Sequence, residues 1–139
     1  MTENNNNHAS HTFLYVDDDP MSREVLQFIL QDDLGHQITV FEDSADFMKR
    51  VESLPQKPDL IFLDIHVAPH NGFEMLSMLR QNEHYQDTHI VAMTASVMNE
   101  EIDQLRQAGF DSCLSKPVQF ESFPKVLLRL LSGETIWRI

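Results

Sequence analysis

Five short apolar runs, at 13–16, 38–41, 60–63, 90–93 and 112–114, alternate along the chain with stretches whose apolar positions return at intervals of three and four. Most of the short runs are continuously apolar rather than alternating, the pattern of strands covered on both faces. The stretches between them each carry one apolar stripe at helical spacing. The first holds Val25, Leu26, Ile29 and Leu30; the second Phe47, Met48 and Val51; the third Met75, Leu76 and Leu79. The fourth holds Met98, Ile102 and Leu105, and the last Phe123, Val126, Leu127 and Leu130. Turn residues punctuate the same scheme. Pro20 suits the first turn of helix one and Gly35 its end. Pro55 and Pro58 bracket the entry to strand three, Gly72 precedes helix three, and Gly109 follows helix four as a C-terminal cap would.

Five βα units in 139 residues imply an α/β fold. The simplest arrangement is the flavodoxin-like (βα)5 doubly wound sandwich, with a five-stranded parallel sheet of order 2-1-3-4-5. Residues 1–11 read as a disordered polar leader, since a segment with a run from Asn4 to Asn7 buries too little apolar surface to offset its ordering entropy. Residues 12–132 then form one domain and 133–139 a short tail, in which Trp137 and Ile139 either pack back on the domain or touch a partner. No repeat or interdomain linker interrupts the pattern.

Charge narrows the function. With 22 Asp and Glu against 10 Lys and Arg, the net charge is −12, which repels nucleic acid and anionic lipid because each phosphate contact needs a cation. The single cysteine, Cys113, excludes an internal disulfide. No apolar run approaches the roughly 20 residues that span a bilayer, and the polar N-terminus has no signal-sequence pattern. The expectation is a cytoplasmic protein that binds neither nucleic acid nor membrane.

In an open parallel sheet, ligands gather at the carboxyl ends of the strands. Asp17, Asp18 and Asp19 follow strand one, Asp64 follows strand three, Thr94 ends strand four, and Ser115, Lys116 and Pro117 follow strand five. Carboxylates, a hydroxyl and an ammonium thus converge on one edge. Several carboxylates in one pocket repel each other unless a cation neutralises them, and Mg²⁺, hard and oxygen-seeking, suits such a site. Lys116 adds a second positive charge and Thr94 a hydroxyl, a set able to stabilise a phosphoryl group passing to a carboxylate.

Val16-Asp17-Asp18-Asp19-Pro20, Leu63-Asp64-Ile65, Met93-Thr94-Ala95 and Ser115-Lys116-Pro117 resemble the signature of response-regulator receiver domains, in order and each beside a predicted strand. The resemblance covers Thr12 to about Leu131. It implies a stand-alone switch of a two-component system or phosphorelay, with Asp64 as phosphoacceptor. Asp17, Asp18, Asp64 and the backbone carbonyl of His66 would hold Mg²⁺ or Mn²⁺, while Thr94 and Lys116 would bind the phosphoryl oxygens. It also implies a cis Lys116–Pro117 bond, a histidine kinase or histidine phosphotransfer protein as donor, and a monomer or weak phosphorylation-dependent dimer. Apart from its own phosphorylation and dephosphorylation, such a chain is not an enzyme.

Two departures stand beside this resemblance. Relatives commonly carry proline four residues after the acceptor and aspartate just before the glycine, where this chain has Ala68 and Asn71, with Pro69 displaced by one; a changed loop around an intact site is expected. Relatives also place Tyr or Phe where Cys113 stands, so the usual aromatic readout lacks its ring. Plainer readings hold for several residues: Asp19 as a helix cap, Cys113 as a small core residue, the methionines as core filler, and His66 with His70 as loop residues rather than a metal pair. Two rival functions remain: a phosphate-independent receiver-like binding module, and a haloacid-dehalogenase-like phosphatase. The latter requires a second aspartate where His66 stands.

Overall fold

The computed structural model describes residues 10–137. Its strands are β1 (Thr12–Val16), β2 (Gln37–Phe41), β3 (Leu60–Asp64), β4 (His89–Thr94) and β5 (Ser112–Ser115). All pair in parallel, in the order β2-β1-β3-β4-β5, as the sequence predicts. Each strand begins or ends within a residue of its apolar run; the extra residues are polar ones that complete the ladder at the sheet's rims.

The helices are α1 (Pro20–Gln27), α2 (Phe47–Glu52), α3 (Gly72–Arg80), α4 (Asn99–Ala108) and α5 (Phe123–Leu131). Strand alternation divides the core between the two faces of the sheet. Leu14, Val16, Ile61, Leu63, Ile90 and Ala92 meet α2, α3 and α4, while Phe13, Tyr15, Leu60, Phe62, Val91 and Met93 meet α1 and α5. Each large apolar side chain so buried contributes about 1.5–3 kcal/mol, and the near-continuous apolar runs follow from having helices on both faces.

Caps set the helix ends. Asp19 accepts from Ser22 N–H at 3.0 Å at the start of α1, with Pro20 in the first turn. Asn71 and Glu74 form a reciprocal capping box on α3, which gives Asn71 a role. Gly109 closes α4 at φ 114°, a left-handed conformation that glycine adopts without strain.

Three details differ from the pattern. Gly72 is the first residue of α3 rather than the residue before it. Met98 caps α4 from outside and is 65% exposed, as Met21 is at 72%, so these two methionines are not core filler. Helix one continues through a π-helical segment, Phe28–Asp33, that brings Ile29 and Leu30 into the core before Gly35 turns the chain at φ 78°.

The ends of the described chain are tied in. His11 N–H donates to His36 Nδ1 at 3.0 Å, and His11 O accepts from Gln37 N–H. Of the leader, residues 1–9 lie outside the described residues. In the tail, Ile136 is buried and Trp137 forms a parallel bridge with Cys113 along β5, while Ile139 lies outside the described residues.

Candidate functional site

Parallel register carries the polar residues to one edge. Val16 pairs with Leu63, Asp64 with Met93, and Thr94 with Ser115. The residues that end or follow β1, β3, β4 and β5 therefore stand side by side. Asp17 N–H continues the ladder to Phe41 O at 3.1 Å, and Lys116 N–H reaches Thr94 O at 2.8 Å. Backbone pairing, rather than loop chance, aims these side chains.

Asp17, Asp18 and Asp64 each offer a carboxylate oxygen to a group spanning no more than 4.8 Å. Asp17 and Asp64 are buried and Asp18 is exposed. Lys116 Nζ lies 3.1 Å from Asp17 Oδ2 and 3.4 Å from Asp64 Oδ1. Asp17 Oδ1 accepts Asp19 N–H at 2.9 Å, and Oδ2 accepts Tyr15 O–H. Thr94 is buried, and its Oγ1 accepts Ser96 N–H at 3.1 Å. Ser96 in turn donates to Glu101 on α4.

The electrostatics follow from two buried carboxylates, Asp17 and Asp64, sharing one ammonium, with the exposed Asp18 beside them. Burial raises the Asp64 carboxyl above its ordinary range, and the Asp17 charge adds to this, while Lys116 opposes it. Burial works against the Lys116 ammonium, but its bonds and charges to Asp17 and Asp64 outweigh that and raise it. Burial and the bond to Asp17 push the Tyr15 phenol far above the tyrosine range. One ammonium cannot offset three carboxylates. The donor set is all hard oxygen, open on the Asp18 side, and fits a small divalent cation such as Mg²⁺.

His66, exposed in the loop after β3, turns its backbone N–H toward Asp64 Oδ1 at 3.4 Å. Among the described residues, neither His66 nor His70 belongs to a three-ligand group. In the loop they share the Ala68–Pro69 bond is cis, as is Lys116–Pro117. Buried Ser44 clamps this loop, donating to His70 O at 2.7 Å and accepting His70 N–H at 2.6 Å.

The family model for the response regulator receiver domain matches residues 13–128. The chain belongs to this family. As a receiver it is 29% identical over 125 residues to the signal transduction histidine-protein kinase BarA of Escherichia coli K12, covering 90% of this chain and 13% of the kinase. It therefore spans a small part of that relative's length. A 14.6 kDa protein from the sodA1 3′ region of Leptolyngbya boryana is 30% identical, with 88% of each chain covered. Among solved structures, the chemotaxis response regulator CheY4 of Vibrio cholerae shares the receiver fold at a TM-score of 0.78 and 24% identity, covering 88% of this chain and 99% of that one. The receiver domain of sensor histidine kinase PA1611 of Pseudomonas aeruginosa PAO1 has a magnesium ion coordinated in its active-site cleft. It matches at a TM-score of 0.76 and 25% identity, covering 89% of this chain and 99% of that one.

Two receiver residues at this site escape a sequence reading. Tyr15 reads as core, and only its spacing of two from Asp17, which puts both on one face of the chain, hints at the bond between them. Ser44 gives no signal, because its partner His70 is 26 residues away.

Proposed function

We propose that the chain is a phosphorylation-dependent signalling switch of a two-component system or phosphorelay, accepting a phosphoryl group on Asp64. The observation that carries this reading is the Lys116 ammonium shared between the Asp17 and Asp64 carboxylates. In a merely structural cluster a single pair would suffice; here a second buried carboxylate is held beside the first at electrostatic cost, as functional sites do.

The donor is the phosphohistidine of a histidine kinase or histidine phosphotransfer protein. An Asp64 carboxylate oxygen bonds to phosphorus as the donor's N–P bond breaks, and the imidazole leaves with the electron pair and takes up a proton. Lys116 and the Thr94 hydroxyl orient the phosphoryl oxygens and offset their charge. Asp17, Asp18, Asp64 and the His66 carbonyl would hold Mg²⁺ or Mn²⁺, which supplies further charge neutralisation when bound. Support for this cation comes from the all-oxygen donor set and from the magnesium site of the related PA1611 receiver. Thr94 is linked through Ser96 and Glu101 to α4, so its reorientation reaches the face built by α4, β5 and α5, and the signal leaves there by protein contact.

The test is intact-mass spectrometry after incubation with a small-molecule phosphodonor and Mg²⁺, beside Asp64→Asn and a metal-free control. One added phosphoryl group that needs both Asp64 and the metal is expected. A folded protein with no adduct would instead favour a phosphate-independent binding module.

A further inference from the structure

Tyr15 sits in a row of rings. In the core under α1 and α5, Phe62 meets its ring edge-to-face with centroids 6.4 Å apart, and Phe13 and Phe123 pack in turn on Phe62. Phenylalanine would fill this place as well, so packing does not account for the hydroxyl. A buried phenol needs a partner, and here the partner is Asp17 Oδ2, the same oxygen that Lys116 reaches at 3.1 Å.

The two donors differ in what they can do. Lys116 stands on a flexible stem between two carboxylates, and under the function proposed above it turns toward the phosphoryl oxygens. Tyr15 is 1% exposed on β1, an interior strand between β2 and β3, and is held in place by its packing. Its hydroxyl is neutral, so unlike the Lys116 ammonium it holds the carboxylate without repelling a cation.

We propose that Tyr15 is a positioning residue for the cation pocket. Its O–H fixes the buried Asp17 carboxylate in the orientation that groups it with Asp18 and Asp64, and it retains that orientation when Lys116 disengages. This role rests on the switch reading. Partners that orient a ligating carboxylate typically change metal affinity 10- to 100-fold when removed, which sets the expected size of the effect.

Tyr15→Phe in the full chain tests this, with Mg²⁺ affinity measured by calorimetry and by the rise in melting temperature on adding Mg²⁺. The variant is expected to fold, to bind Mg²⁺ about 10- to 100-fold more weakly, and to accept phosphate on Asp64 slowly at low Mg²⁺ but normally at saturating Mg²⁺. Phe13→Leu is the packing control: it disturbs the same apolar layer without touching Asp17, and should lose stability while keeping its Mg²⁺ affinity. Unchanged Mg²⁺ affinity in Tyr15→Phe, or an equal loss in Phe13→Leu, would overturn the proposal. A wild type that binds no Mg²⁺ would overturn the cation reading itself and this role with it. That failure is visible in the wild-type titration before any variant is compared.

Discussion

Lys116 Nζ lies 3.1 Å from Asp17 Oδ2 although 99 positions separate the two residues. The contact joins the ends of β1 and β5 through a fully buried carboxylate. Removing one partner of a buried pair leaves the other uncompensated, which costs about 3–5 kcal/mol. Lys116→Met should therefore lose about that much stability in metal-free urea denaturation and regain part of it when Mg²⁺ is added. A loss below about 1 kcal/mol would show that Tyr15 and Asp19 suffice to hold Asp17.

Gly72 gives a steric prediction. A Cβ there would stand 2.8 Å from Ile65 Cδ1, 2.9 Å from Ile65 Cα and 3.1 Å from Asp64 O. Two of these three atoms are backbone and cannot swing aside, so the start of α3 has to move away from the end of β3. Gly72→Ala should cost about 1–3 kcal/mol, as overpacking does, and should weaken Mg²⁺ binding because the loop bearing His66 is displaced. Equal metal affinity with lowered stability would separate the packing effect from the site.

The strands and the site edge are legible in the sequence for one reason: local patterns specify both. Apolar runs such as 60–63 need only their own residues to be read, and the acidic and basic motifs directly follow them. What the sequence leaves unread rests on distant partners. Arg80 looks like a surface residue on α3, yet it donates to the carbonyls of Tyr85, Gln86, Thr88 and Gly109 and pairs with Asp111 at 2.7 Å. Met98 fits a helical stripe by spacing, but the helix begins one residue later and leaves it in solvent. The π-helical turn at Phe28–Asp33 has no composition signal at all.

Two histidines make stability depend on pH. His36 Nδ1 accepts a hydrogen bond from His11 N–H at 3.0 Å and must keep its lone pair; burial, aided by His11 and opposed by Asp59, lowers its pKa below the ordinary 6.5. Burial also lowers His89, with Asp111 opposing and Arg80 adding. Because these groups bind protons more readily when unfolded, their contribution is complete above pH 6.5. It is lost as pH falls from there through their lower folded values, by at most about 1.4 kcal/mol per pH unit for each. Asp64, raised by burial and by Asp17, contributes with the opposite sign, so the comparison belongs in an Asp64→Asn background. There, urea midpoints should fall on acidification, and His36→Asn with His89→Asn should flatten the profile. An unchanged slope would place the pH dependence elsewhere.

The tail supplies the last prediction, through Cys113. Its N–H donates to Ile136 O at 2.8 Å, and Ile136 N–H donates to Ser112 Oγ at 2.9 Å, which also meets His89 Nε2 at 2.8 Å. Arg106 on α4 lies 4.8 Å from the centre of the Trp137 ring, over its face. These contacts cover the edge of β5, a strand that would otherwise offer unpaired backbone groups. They also enclose the Cys113 thiol, pushed up to about 11 by burial and by the Glu101 charge, so little reactive thiolate exists near neutrality. In the wild type, alkylation of this single cysteine should proceed through global unfolding and accelerate with urea as unfolding does. Ile136→Ala should cost about 2–5 kcal/mol by opening a cavity, and should also free the tail. Its alkylation, followed as a mass adduct, should then show a fast component that is flat at low urea, the mark of local opening. If the variant instead keeps the wild-type urea dependence and differs only in midpoint, the tail contributes stability without guarding β5.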